Sequence, residues 1–305
     1  MRYARHIFAA SVVLTLLTNS VIRAQTSARR EADPRAATVV FMVSKWTGGV
    51  SVEPVVQVER GGRLAVPNLG EDGHEHFNAT YYRAGQRHRL IFGGAEAGSV
   101  IITQAEKGEC AGADASAELE TSVKLGGAVR ALAVSAPTLG RAKGLRRAPT
   151  ESERAEVLRL AETVYRRNRV AAAALARTQT INLTATDLDA DGAEEFIGSF
   201  LVKSGARTRE LLFLIAERRG RGLAVAHSVY EHISDRELMN PEMIDEIGVE
   251  LFSEAFIDQL DLDGDGVGEV FTSLRSFEGS TFKIYQKRRG RWREAYDFYS
   301  YRCGY

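Results

Sequence analysis

The segment Asp187-Leu188-Asp189-Ala190-Asp191-Gly192-Ala193-Glu194-Glu195 returns 74 positions later as Asp261-Leu262-Asp263-Gly264-Asp265-Gly266-Val267-Gly268-Glu269. Carboxylates at alternate positions, a glycine and a closing glutamate define a short polar turn that cannot lie in a core. Each is followed at once by an apolar, β-prone run, Phe196-Ile197 and Val270-Phe271, so each turn leads into a strand. Four acidic groups per turn (Asp187, Asp189, Asp191 and Glu195; Asp261, Asp263, Asp265 and Glu269) repel one another unless a cation joins them. A hard dication that takes about 6–8 oxygen ligands suits such a set, and calcium suits it best. The plain alternative is a pair of solvated aspartate turns.

The repetition extends beyond the acidic turns. Copy one reads as strands over 180–184, 196–202, 211–216 and 223–230; copy two as strands over 255–260, 270–274, 282–286 and 294–301. Each copy also carries an Arg-Arg-Gly-Arg turn, at 218–221 and at 288–291. These turns read as solvated hairpin tips, or as a surface for an acidic partner. Residues 235–247, around Pro241, form an insert between the copies. Copy two is rich in aromatic residues, from Phe277 to Tyr305, and alternation assigns part of them to a core.

Upstream, short strands at 39–43, 51–58, 63–66, 77–82, 88–92, 99–103 and 128–134 alternate with glycine pairs. That spacing predicts a small β-sandwich or barrel, and a sandwich-like N-terminal domain is the expectation for 38–137. A basic linker follows. Thr150-Glu151-Ser152-Glu153 is then a capping box opening an amphipathic helix, with Val157, Leu158, Ala161, Val164 and Tyr165 on one face and Arg166, Arg167 and Arg169 near its end. Linker and helix occupy 138–177, and the two repeats 178–305. The fold class expected is mainly β (α+β). It joins the sandwich-like domain, one linking helix and a pair of four-stranded, blade-like repeats.

Residues 1–24 read as a secretory signal: Arg2, Arg5 and His6 precede an apolar run at 7–17, and Ala24 offers a cleavage point. Residues 25–37 read as a flexible leader. The chain balances 40 basic against 40 acidic residues, and loss of Arg2, Arg5 and Arg23 would leave it slightly acidic. That is no footprint for nucleic acid. After the signal no apolar stretch approaches the length of about 18 residues that a membrane span requires. The expectation is therefore a soluble protein, secreted or periplasmic, where calcium is plentiful. Such a compartment permits a Cys110–Cys303 disulfide; two separate thiols are the alternative.

Other chemistry finds little support. H-E-x-x-H, G-x-S-x-G, C-x-x-C and the P-loop pattern are absent from the sequence. His74, His76 and His88 read as part of a polar loop, with a transition-metal site as the alternative, although the glutamate a cupin-type site needs is replaced by Asn78, Ala79, Thr80 and Tyr81. An EF-hand begins with the same aspartates but requires a bidentate glutamate at its twelfth position, where Gly198 and Thr272 stand.

The two acidic turns, each before an apolar strand, resemble the calcium-binding repeats called FG-GAP or VCBS, the blades of integrin-α-like β-propellers. The resemblance covers about 178–302. It implies two calcium ions, held by Asp187, Asp189, Asp191 and Glu195 and by Asp261, Asp263, Asp265 and Glu269, with main-chain carbonyls from Ala193 and Val267. The count departs from the family: a closed propeller takes about 4–8 blades, and residues 68–77 are only a loose third echo. Two units must therefore pack on each other and on the Thr150 helix, or else the chain oligomerises. The expected function is an exported, non-catalytic calcium-binding protein that presents a surface to a protein or carbohydrate partner. The alternatives are a cell-surface adhesion or assembly module, and a secreted hydrolase with structural calcium.

Overall fold

Strands whose side chains alternate between two apolar environments build most of the structure, a computed structural model that describes residues 38–69, 73–106, 114–123, 129–136, 144–220, 222–234 and 251–302. The protein is mainly β. Strands β1 (Thr38–Trp46), β2 (Gly49–Val58), β3 (Leu64–Ala65), β4 (Arg87–Phe92), β5 (Ala95–Ala105), β6 (Ala115–Glu120) and β7 (Val129–Val134) form one antiparallel sheet in the order β1-β7-β4-β5-β6-β2-β3. Because β1 also pairs with β2, six of these strands close into a barrel. This corrects the sandwich-like expectation. Closure leaves no exposed edge among the six strands, the hazard that an open sheet of this size would carry.

Two cores share the barrel wall. Inside, Val39, Phe41, Val43, Val52, Leu90 and Val100 pack together; outside, Val40, Met42, Val56, Val58, Ile91, Leu132 and Val134 point the other way. The segment expected as a strand at 77–82 is instead helix α1 (Gly73–Tyr81). Helical spacing puts Phe77 and Tyr81 on one face, and with Tyr82 they surround Phe41, at centroid distances of 6.3, 6.1 and 5.8 Å. The barrel interior has room for a compact aromatic cluster, and that burial overrides the β preference of the aromatic residues.

The capping box forms as expected. Helix α2 (Glu151–Arg167) begins at Thr150, whose Oγ1 accepts the Glu153 N–H while the Glu153 carboxylate accepts the Thr150 N–H. After the short helix α3 (Ala172–Leu175), copy one forms β9 (Gln179–Thr186), β10 (Glu195–Gly205), β11 (Thr208–Arg219) and β12 (Gly222–Ser234). The linker adds a small edge strand, β8 (Arg146–Arg147), beside β9. Copy two forms a separate four-stranded sheet from β13 (Glu254–Leu260), β14 (Glu269–Arg275), β15 (Gly279–Arg288) and β16 (Arg291–Tyr301). The acidic turns lie where the sequence puts them, between the first and second strands of each copy.

Four layers stack in series. Val157, Ala161, Val164 and Tyr165 of α2 cover Phe196, Phe200, Leu212 and Leu214 of copy one. The opposite face of copy one, Ile197, Phe213 and Ile215, meets Phe256, Val270, Tyr285 and Trp292 of copy two. The far face of copy two, with Ile257, Phe271, Phe282 and Ile284, meets the outer wall of the barrel. Helix and barrel thus cover the two outer faces of the repeat pair. The repeat sheets pack on two faces, so β10 carries a mostly apolar run, while β13 also buries the polar Glu254, Asp258 and Gln259. Each large side chain buried this way contributes about 1.5–3 kcal/mol.

A polar bolt joins copy two, linker and barrel. Asp258 is fully buried and accepts hydrogen bonds from the Gly93 N–H and from Arg146 Nη1, each at 3.0 Å. Arg146 also donates to the carbonyls of Ile257 and Arg130, and its guanidinium lies over Phe92 and Phe256. Burial raises the Asp258 pKa, and the Arg146 charge opposes that rise.

The two Arg-Arg-Gly-Arg turns match less closely than their letters suggest. Arg219 pairs with Gly222 in copy one, whereas Arg288 pairs with Arg291 in copy two, leaving Arg289 and Gly290 as the turn. Arg289 and Gly290 have φ of 51° and 72°, the positive pair of a type I′ turn. The hairpin register therefore differs by one residue. The structural counterpart of Arg288 is Arg219, and that of Lys287 is Arg218.

The signal and leader expected over 1–37, both cysteines and the insert at 235–247 lie outside the described residues. Among the described residues, no helix is long and apolar enough to cross a membrane.

Candidate metal centre

Each acidic loop is hung from a buried leucine. Leu188 and Leu262 point inward, which turns the flanking aspartates outward. Their N–H groups donate to the closing glutamates: Leu188 N to Glu195 Oε2 at 2.8 Å and Leu262 N to Glu269 Oε2 at 2.7 Å. The first aspartate of each loop accepts from the glycine five residues on, Gly192 N to Asp187 Oδ2 at 3.1 Å and Gly266 N to Asp261 Oδ2 at 3.0 Å. The third aspartate accepts from the residue two further on, Ala193 N to Asp191 Oδ1 at 2.7 Å and Val267 N to Asp265 Oδ1 at 2.9 Å. One frame is thus built twice. The described hydrogen bonds of Ala193 and Val267 run through their N–H groups.

The left-handed backbone at each loop centre is handled differently. Gly264 and Gly266 take φ of 77° and 87° in loop two, whereas loop one sets Ala190 at 59° and Gly192 at 85°. A Cβ in that conformation costs about 1–2 kcal/mol, so loop one carries a strain that loop two avoids.

Carboxylate oxygens converge in both loops. Asp187, Asp189 and Glu195 bring one oxygen each to within 4.8 Å of one another, as do Asp261, Asp263 and Asp265 in loop two. Of the candidate ligands, Asp191 stands outside the first group and Glu269 outside the second. Glu269 has a local reason: its Oε1 accepts Gln286 Nε2 at 3.1 Å. Burial pushes both closing glutamates up to about 7, with charge from Asp189, Glu217 and Asp191 adding at Glu195 and from Asp263 and Asp261 at Glu269; the Leu188 and Leu262 N–H groups oppose the rise.

The donor set fits a hard dication, because every converging atom is a carboxylate oxygen. Asp189 Oδ1 is moreover buried and accepts no hydrogen bond, an acceptor site that a cation would fill.

Basic residues at the loop mouths were not identified from the sequence. Arg288 Nη2 lies 2.5 Å from Asp263 Oδ2, and Nη1 lies 3.7 Å from Asp265 Oδ2. Asp263 Oδ2 accepts no aligned hydrogen bond, so this close contact is chiefly ionic. At loop one, Lys287 Nζ is 3.9 Å from Asp189 Oδ2 but only 2.9 Å from Glu217 Oε1, which also accepts Trp292 Nε1. Gln259 is a second residue missed: its Nε2 donates to the carbonyl of Asp187 at 2.9 Å and to that of Gly93 at 3.3 Å. It ties loop one to the barrel, and Gly268 N donates to the Leu188 carbonyl at 2.6 Å to tie the loops together. A Cβ on Gly268 would sit 1.8 Å from Gln259 Oε1, so any side chain there would have to displace the Gln259 amide. The only signal for these residues is their place in the repeat, opposite or beside an acidic loop.

The histidine alternative gains nothing. His74 and His76 lie on α1, while His88 is buried with Nε2 2.8 Å from the Tyr81 carbonyl; burial lowers its pKa. The three form no metal-type cluster among the described residues. Comparison of the chain with family models, curated proteins and solved structures finds no match.

Proposed function

We propose that this protein is an exported, non-catalytic calcium-binding β-repeat protein of FG-GAP or VCBS type, whose two acidic loops each hold one ion. The observation that carries the reading is the doubled frame. Two loops 74 residues apart use the same leucine, glutamate, glycine and aspartate contacts to bring carboxylate oxygens together. Two such charges 4.8 Å apart repel by about 3–4 kcal/mol at an effective dielectric of about 20. A protein that builds this arrangement twice gains most when a dication joins the oxygens. Asp187, Asp189 and Glu195 would hold it in loop one, and Asp261, Asp263 and Asp265 in loop two. The ion would supply positive charge and cross-linking, with no chemical step.

Its benefit would be mechanical, because the loops lie at the junctions between layers. Leu188 enters the core between the copies, and Leu262 the core between copy two and the barrel. A filled loop braces the junction beneath it and stabilises the scaffold that presents a surface to a partner. The test is calorimetric titration of chelator-treated protein with calcium. Two ions per chain are expected, and no uptake at millimolar calcium would overturn the proposal.

A second reading, an adhesion or assembly module, draws on the outermost strand of copy two. Among the described residues β16 pairs only with β15, and it exposes Tyr299 and Tyr301. An open edge with aromatic side chains suits association with another chain. Solution mass decides it: Tyr301→Ser should dissociate an assembly, whereas a monomer with or without calcium would dismiss it.

A further inference from the structure

The tip of the β15–β16 hairpin gathers four guanidinium groups, and we propose that Arg288, Arg289, Arg291 and Arg293 form a binding site for a small, doubly charged oxyanion of the phosphate monoester class. The sequence supplies the residues, and the strand register supplies the face. Arg288 lies directly opposite Arg291, and Gln286 opposite Arg293, so Arg288, Arg291 and Arg293 share one face of the hairpin. Trp292, between the last two, is buried on the other face in the core between the copies. Arg289 joins them from the turn, and the four side chains line one open recess.

The arrangement holds positive charge together against its own repulsion. Like charges directly across a sheet destabilise it, and Arg288 and Arg291 are such a pair. Arg289 has φ of 51°, at a turn position that glycine, asparagine or aspartate fills at less cost. Other cations of copy two are matched: Lys283 lies 3.2 Å from Glu294, Lys287 lies 2.9 Å from Glu217, and Arg302 joins Glu53 and Asp114. Arg288 reaches Asp263 and Asp265 of loop two. Arg289, Arg291 and Arg293, in contrast, have no carboxylate within ion-pair distance among the described residues.

An anion among them would relieve the repulsion and use the donors. Guanidinium forks offer paired N–H groups to the oxygens of a carboxylate or phosphate. A phosphate monoester carries about −1.5 to −2 charges and three acceptor oxygens, which answers three unmatched arginines better than one carboxylate does. The neighbours limit its size. Asp263 and Asp265 stand beside Arg288, and the exposed Glu294 and Asp297 follow Arg293 on β16. A bilayer surface or a nucleic acid would meet those carboxylates together with the arginines, whereas a small anion enters among the arginines alone.

Arginine side-chain N–H resonances test this in the full chain. Methyl phosphate, titrated at low salt and about pH 7 where most of its second charge is present, should shift several arginine signals along one saturating curve. Arg291→Gln and Arg293→Gln should each weaken that binding about tenfold, the worth of one hydrogen bond to a charged group. Arg291→Lys, which keeps the charge and loses the fork, should weaken it less. Acetate should bind more weakly than methyl phosphate, and Arg219→Gln at the other hairpin tip should change nothing. Both tested arginines are exposed, so the unliganded melting temperature should not fall. Absence of a saturating shift overturns the inference. So does affinity indifferent to Arg291 and Arg293, an equal loss on Arg219→Gln, or binding to anionic phospholipid vesicles with none to methyl phosphate. These outcomes leave the calcium reading intact, because the substituted arginines make no described contact with either acidic loop.

Discussion

Loops one and two hold nearly the same residues on the same hydrogen-bonded frame, yet they stand between different layers. Leu188 is driven into the seam between the repeats, beside Phe213 and Tyr285, whose rings stack at 5.4 Å. Leu262 is driven into the seam between copy two and the barrel, among Val55, Ile91 and Phe282. Loop one carries Ala190 in left-handed backbone and is tied to Gln259; loop two uses Gly264 there and is held by Arg288. The comparison separates what a repeat fixes from what its surroundings fix. The frame is local and recurs, whereas charge balance and packing depend on neighbours, which the repeat does not copy.

The comparison can be broken most forcefully at the leucines. Leu188→Ala should destabilise by about 3–4 kcal/mol and Leu262→Ala by a similar amount, as for other fully buried leucines. Urea unfolding measures both, and a cost under about 1 kcal/mol at either site would show that its loop is not anchored in a core. Calcium comes next. At tenfold excess over Kd each loop should add about 1.4 kcal/mol, so chelation should lower Tm, with Asp189→Ala and Asp263→Ala each removing one share of the response. A melting curve indifferent to chelator in all three proteins would remove the reason for the loops.

The backbone offers a finer comparison. Gly264→Ala should cost about 0.5–1 kcal/mol, since the Cβ meets no atom within 4 Å and the penalty is conformational. Ala190→Gly should be the smallest change, a gain of about 0.5 kcal/mol or less, because relief of strain is offset by the freedom glycine brings to the unfolded chain. Equal and opposite effects at the two sites, measured by denaturant midpoints, would mean that only the side chain distinguishes them. If Ala190→Gly instead destabilises, the alanine is selected for something other than its backbone.

Much of the repeat region is legible in the sequence because its signals are local. Apolar runs of the right length mark the strands, the capping box marks α2, and alternate aspartates mark the turns. The N-terminal region is harder to read. Phe77, Tyr81 and Tyr82 have strand-like preferences, but the nearby Phe41 ring and the space inside the barrel make a helix the better packing. β1 and β2 form a local hairpin, and closure depends on the long-range pairing of β1 with β7, which no local pattern specifies. Arg288 illustrates the same limit within the candidate site. Its four-letter turn matches that of copy one, and a one-residue change in hairpin register, visible only in the pairing, sends it to the aspartates.

The sequence by itself determined that acidic oxygens gather twice, each time on a turn between strands, because backbone period and side-chain charge act over a few residues. It also implied that the two repeats need cover from elsewhere, since two units are too few to close a ring. Only the tertiary structure decided what supplies that cover, α2 on one side and the barrel wall on the other. It alone also decided which loop carries an arginine in its mouth. Both outcomes depend on contacts between residues far apart in the chain, where burial and charge balance are set by three-dimensional neighbours and local preference has no influence.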